Sequence, residues 1–333
     1  MEYKTYKTID EQIKYLEENK KIIVDDEDRH YLEERNYISL INPYKVFFAS
    51  GRNNEGRLIY KKQSNFKELL KIIKTDENYS KRVYELIGSF EKKLKNIIIS
   101  EICSKYVGIN DQYCVKYIEE IHDFLLGNSE FPMFCGNFNY TYIKQNGKVE
   151  RIKDDYSIER KRDVMLRIYN IATNKNLDGT ELEDSEACKN KLIIHYIKKY
   201  NIVPLWVIPN ALTLGELQTI FSMLDFECQK TIVGKMKNVD YKQVTSEEVI
   251  SFSGHLELIR KIRNVVNHYE PILPFLLNEM NTKKIENSKI YFTLKLLHET
   301  FSENMIDNKK AEIDDNPINS KAIRILNMMY SDV

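Results

Sequence analysis

The chain has 333 residues, and its 50 Lys and Arg balance 50 Asp and Glu, so it carries no net formal charge. That length supports a sizeable core in one large domain or two ordinary ones. The charge balance excludes a protein-wide basic field and leaves any nucleic-acid contact to a local patch. Gly 11 and Pro 7 are few and 30% of residues are charged; with long periodic apolar stretches, this composition predicts an all-α fold. Five cysteines, at 103, 114, 135, 188 and 228, form no CxxC pair. An odd count behind a Met-Glu-Tyr-Lys start without an apolar leader reads as reduced thiols in a cytoplasmic protein. No stretch approaches ~18 uninterrupted apolar residues, so no membrane partner is expected.

Residues 1–65 read as an N-terminal helical extension. Asp10-Glu11-Gln12-Ile13 opens an amphipathic helix with Ile13 and Leu16 on one face. The acidic run Asp25 to Asp28 is either the cap of the next helix, since carboxylates favour helix N-termini, or a solvated loop. Pro43 disfavours helix at Asn42, and Arg52-Asn53-Asn54-Glu55-Gly56 is a turn. A main helical domain is expected over 66–280. It begins with a long helix from about Tyr79 to Tyr106, whose Leu86, Phe90, Leu94, Ile97, Ile98 and Ile102 make one apolar stripe. Glu91 and Lys95 form an i,i+4 pair on its outer side.

The interval 107–190 reads as an irregular insertion. Pro132, Gly136 and the polar-aromatic run 137–143 suggest a loop or a short hairpin. The mixed-charge run Arg151 to Arg167, with Arg160-Lys161-Arg162 inside it, is read as a solvated helix face in preference to a nucleic-acid patch. Asp178 to Glu186 is expected as an exposed acidic loop. Leu192 to Tyr200 looks helical and stops before Pro204. Leu212-Thr213-Leu214-Gly215-Glu216-Leu217 carries a capping box, Thr213 to Glu216, inside a hydrophobic staple, Leu212 to Leu217. Thr245 to Glu248 repeats the box. A C-terminal helical tail is expected over 281–333, with a polar stretch from Glu303 to Asn319 and a last helix through Ile323, Leu326 and Met329.

The most informative stretch is Arg263-Asn264-Val265-Val266-Asn267-His268. On a helix over Leu256 to Tyr269, the residues Leu258, Ile262, Val265 and Tyr269 form one apolar stripe, with Ile259 and Val266 beside it. Arg263, Asn264, Asn267 and His268 fall on the other side. Asn264 and His268 are i,i+4 neighbours. Arg263 and His268 lie about 140° apart on an ideal helix, so they flank a shared groove. Histidine moves protons near neutral pH, and arginine holds a phosphate bidentately. By pattern alone, a plain polar helix face carrying a scattered Arg and His is the favoured reading of these residues. No GxSxG, HExxH, P-loop or GxGxxG competes with them. His30, His122, His195, His255 and His298 stand isolated, and His195 beside Tyr196 reads as helix packing. No metal and no cofactor is expected.

The order of segments resembles the Abi-like family of bacterial abortive-infection proteins over most of the chain. The resemblance is carried by Asp10-Glu11-Gln12-Ile13-Lys14-Tyr15-Leu16, by Asn36-Tyr37 through Asn42-Pro43-Tyr44-Lys45, by Pro204-Leu205-Trp206 with Leu212-Thr213-Leu214-Gly215-Glu216-Leu217, and by Ile262 through His268. It implies a HEPN-type helical bundle, whose arginine, followed after four to six residues by a histidine, is associated with metal-independent RNA cleavage. Arg263 and His268 match that motif and Asn264 the polar residue that commonly follows its arginine. Relatives often carry a second histidine where this chain has Asn267.

The implied activity is an endoribonuclease of phage defence or of a toxin–antitoxin system, with Arg263, Asn264 and His268 catalytic. Asn267, Arg260 and Lys261 are the expected RNA contacts. The implied partners are substrate RNA, a structured non-coding RNA that restrains the enzyme, and a second copy of the chain when RNA is absent. Two other functions fit the same residues: a non-cleaving RNA-binding scaffold and a helical protein–protein interaction subunit.

Overall fold

The structure, a computed structural model, describes residues 5–153, 155–182, 190–279 and 289–301. Helices α1 (Ile9–Lys20), α2 (Arg29–Glu34), α3 (Tyr37–Ile41) and α4 (Phe66–Val107) are interleaved with short strands β1 (Ile22–Ile23), β2 (Gly51–Arg52), β3 (Leu58–Ile59) and β4 (Ser64–Asn65). Next come α5 (Lys116–Leu126), β5 (Tyr140–Gln145), β6 (Lys148–Lys153), α6 (Asp155–Thr173), α7 (Lys191–Tyr200) and α8 (Leu214–Met223). Helices α9 (Phe226–Lys237), α10 (Ser246–Asn267), α11 (Ile272–Glu279) and α12 (Lys289–Phe301) complete the described elements. Among the described residues three two-stranded ribbons stand beside these helices, and the fold is all-α. The polar stretch 303–319, the last helix expected through Ile323, Leu326 and Met329, and the His298 side chain lie outside the described residues, as does the second half of the acidic loop, 183–186. No described helix is long and apolar enough to cross a membrane.

The described residues form two compact units. One is built from the chain up to Ile87 and from Ile262 onward, the other from Gly88–Lys261.

In the first unit, α1 opens one residue before the expected start, through a capping box in which the Thr8 N–H donates to Glu11 (2.8 Å) and the Glu11 N–H to Thr8 Oγ1 (3.4 Å). Such a cap stabilises a helix by about 1 kcal/mol. The acidic run at 25–28 forms a 3-10 turn over Asp26–Asp28 and supplies no side-chain cap; Asp25 instead pairs with Lys67 at 3.3 Å. Asn36 caps α3 by accepting from the Ile38 N–H (2.8 Å), and α3 ends before Asn42-Pro43 as expected. Gly56, at φ +78, turns the chain between β2 and β3.

Helix α4 starts at Phe66, well before the expected Tyr79. Asn65 Oδ1 accepts from the Lys67 N–H (2.7 Å), an N-cap directly after β4, which pairs in parallel with β1. The buried stripe of this first half runs Phe66, Leu69, Ile73, Asp76, Tyr79 and Val83. One member of that stripe is a carboxylate, and it bears on the site described below.

In the second unit, the stripe of α4 continues as expected through Phe90, Leu94, Ile98 and Ile102. The Glu91–Lys95 pair forms at 3.0 Å but is largely covered, not on an open face. The interval read as an irregular insertion holds α5, a regular hairpin and α6. Strands β5 and β6 pair from Tyr140↔Lys153 to Gln145↔Lys148, and Asn146 and Gly147, at φ +50 and +77, turn between them. Two successive positive φ values give the type I′ turn favoured in two-residue hairpins.

Helix α6 packs against α5, α7 and α8. Its basic run is solvated only in part: Arg162 is exposed, as expected, but Lys161 is not. Lys161 is 1% exposed, and its ammonium donates to the carbonyls of Asn137, Phe138 and Tyr140 at 2.9–3.1 Å. Arg162 donates to the Leu125 carbonyl (2.9 Å) and Arg160 to the Gly215 carbonyl (3.4 Å). Both expected capping boxes form: Thr213 with Glu216 at the start of α8, and Thr245 with Glu248 at the start of α10. Leu212 and Leu217 of the staple are buried. The His195 and Tyr196 rings meet edge to face, with centroids 5.9 Å apart.

Candidate functional site

The last turn of α10 buries Ile262, Val265 and Val266 in the first unit. Arg263 on the opposite side is half-buried, and Asn264, Asn267 and His268 are exposed. The sequence-derived separation of faces holds, except at its end. Helix α10 stops at Asn267, and His268 extends the ladder by one step, its N–H donating to the Asn264 carbonyl (3.1 Å). The Tyr269 N–H then donates to Val266 (3.3 Å) and the Glu270 N–H to Val265 (3.0 Å). These crossed bonds make a Schellman stop, which places its penultimate residue in the left-handed region. That residue is Tyr269, at φ +55 and 97% exposed. The expected extension of the apolar stripe to Tyr269 is therefore corrected: the backbone reverses hand there, and the ring leaves the core.

The helix that follows this stop is capped from far away in sequence. Asp76, 1% exposed on α4, accepts from the Leu273 N–H (2.9 Å) and from the Tyr44 hydroxyl (2.6 Å). Its carboxylate thus does for the start of α11 what an N-cap side chain does locally. Burial pushes the Asp76 carboxyl up to about 6, against the pull of the hydrogen bonds from Tyr44, Leu273 and Ile272. Tyr44 is held well above the usual phenol range by burial and by the adjacent Asp76 carboxylate. Neither residue stood out in the sequence, although an aspartate inside the apolar stripe of α4 is the signal that marks it.

Beside the stop lies a cavity of about 880 Å³, entirely within the first unit. Ser39 and Leu40 of α3, with its cap Asn36, form one wall and Ile73, Ser80 and Tyr84 of α4 another. Val266, Asn267, Tyr269, Glu270 and Pro271, from the end of α10 and the link to α11, form the third, with Asp76 in the lining.

The structure thus brings Arg263, Asn264, Asn267 and His268 together in one turn and its cap, with Asn267 in the cavity wall. Arg260 and Lys261 fall in the other unit. Arg260 packs its Cδ within 3.3 Å of where a Cβ on Gly215 would stand, and its Nε is buried without a hydrogen-bond partner among the described residues. Lys261 is exposed and lies 3.9 Å from Glu257.

The fold and this site define an all-α protein of two helical units with an arginine and a histidine on the exposed side of one helix end. The sequence matches the Abi-like protein family over residues 30–273, most of the chain, and the protein belongs to that family. The matched region runs from α2 to Leu273, so it contains both the motif and the amide that Asp76 caps. Membership points to abortive-infection defence. No curated protein and no solved structure matches the chain.

Proposed function

We propose that the protein is an endoribonuclease of abortive-infection defence or of a toxin–antitoxin system, cutting RNA by attack of its own 2′-hydroxyl. The observation that carries this reading is the exposure of His268 at the C-cap of α10, on the turn that also carries Arg263, Asn264 and Asn267. A HEPN-type motif is the reading of that turn. His268 takes the proton from the 2′-OH, the oxygen attacks phosphorus, and the bond to the 5′-oxygen breaks. The His268 of a second copy protonates the leaving oxygen. Arg263 stabilises the charge that builds on the phosphoryl oxygens, and Asn264 positions His268 or a phosphate oxygen. The products are a 2′,3′-cyclic phosphate and a 5′-hydroxyl. RNA is the substrate because DNA lacks the attacking group. With no net charge to steer it, RNA binds through local contacts, and a structured non-coding RNA is the proposed restraint.

The test is cleavage of an unstructured RNA by purified protein in excess EDTA, with end-group analysis. Activity in EDTA with cyclic-phosphate ends is expected. Loss of activity that added divalent ion restores would replace this mechanism with a metal-dependent one.

A further inference from the structure

We propose that the cavity beside the end of α10 is a nucleobase-binding subsite, which takes the base next to the phosphate held by Arg263 and His268. The inference rests on the ribonuclease reading and adds to it the part of the substrate that this surface recognises.

Its volume, about 880 Å³, lies in the range of roughly 300–1,000 Å³ typical of small-molecule sites. Its lining selects the chemistry. Arg35 is paired with Glu77 at 2.7 Å, and the Asp76 oxygens accept from Tyr44 and Leu273. Lys81 and Glu270 remain, exposed and of opposite sign. Such a lining has no cationic field for a phosphate. A neutral heterocycle suits it: Leu40, Ile73 and Pro271 offer apolar surface, and the Asn267 amide offers both a donor and an acceptor to a base edge. Tyr84, 56% exposed, and Tyr269 offer ring faces for stacking.

Tyr269 is the most telling. At 97% exposure it buries nothing, and its left-handed backbone would be better served by glycine. Folding supplies no reason for an aromatic ring there, and base stacking does. Asn267 sits in the wall one residue before His268, within reach of the nucleotide adjoining a phosphate at the histidine.

Calorimetric titration of RNA-free, full-length protein with adenosine, guanosine, cytidine and uridine tests this. At least one nucleoside is expected to bind saturably. Ser80→Trp, which fills the cavity from α4, should weaken it about tenfold or more, and Tyr84→Ala about fivefold, the loss of a base–aromatic contact. Tyr84 is exposed, so its variant keeps the test open should Ser80→Trp fail to fold. Ribose 5-phosphate, with sugar and phosphate but no base, should not compete. The proposal is overturned if no nucleoside saturates, if neither substitution weakens binding, if ribose 5-phosphate competes fully, or if N-acetyl-arginine amide binds where nucleosides do not. RNA cleavage without nucleoside binding removes this inference and leaves the ribonuclease reading standing. Nucleoside binding without cleavage removes that reading, and with it the subsite's place beside a scissile phosphate.

Discussion

At the scale of the residue, His268 and Asp76 play opposite parts. His268 is exposed, so, on the proposed function, His268→Ala should remove RNA cleavage and growth toxicity while stability stays within about 0.5 kcal/mol. Parallel toxicity assays and thermal unfolding check this; a well-expressed variant that remains fully toxic would end the catalytic assignment. Asp76 is buried and structural. Burial raises its folded pKa to about 6, above the usual carboxylate range near 4, so the protonated form is favoured by folding. The contribution to stability is therefore complete below pH 4 and is lost as pH rises through 6. Relative to Asp76→Asn, the wild type should lose about 1.4 kcal/mol between pH 5 and pH 8, measured by urea unfolding at both values. A constant difference between the two proteins would show that the carboxyl titrates normally. The exposed placement of His268 was legible in the sequence because it follows from helical spacing over a contiguous stretch. The role of Asp76 was not, because its partner amide lies 197 residues away and no local pattern encodes that distance.

At the scale of the element, what the sequence revealed and what it hid divide by range. The capping boxes at Thr213 and Thr245 were legible because both halves of each box lie within one turn. The first half of α4 was hidden by the polar residues 74–78, although Phe66, Leu69 and Ile73 already keep helical spacing. Lys161 looked solvated because a charge run usually is; the carbonyls of Asn137 and Phe138 and that of Tyr140 at the start of the hairpin, far from it in sequence, make it a core residue. Gly88 sits inside α4, where a Cβ would meet nothing within 4 Å. Gly88→Ala should therefore raise stability by about 0.5–1 kcal/mol, through lower backbone entropy in the unfolded chain, read as a higher denaturation midpoint. Gly136 is the contrast: a Cβ there would come within 2.5 Å of the Asp225 Cβ, and Asp225 caps α9. Gly136→Ala should cost about 1–3 kcal/mol, and an unchanged midpoint would mean that this loop yields easily.

At the scale of the molecule, each chain supplies one His268, while the proposed reaction uses a base and an acid. A two-fold dimer with both histidines at one cleft supplies them. Light scattering on RNA-free protein should report a dimer, and mixing Arg263→Ala chains with His268→Ala chains should not restore full activity. A monomer that cleaves at full rate would leave a single-histidine mechanism to explain. The two-unit division also sets an order of events during synthesis. The unit that carries the motif is built from both ends of the described chain, and the whole of Gly88–Lys261 is translated between its halves. At ribosomal speeds of about 5–20 residues per second, that interval lasts roughly 10 to 35 s. Throughout it, α1 to α3 wait without the segment that completes their unit, while the whole of the other compact unit emerges. A chain released before Ile262 therefore lacks the second half of this unit, and with it Arg263 and His268.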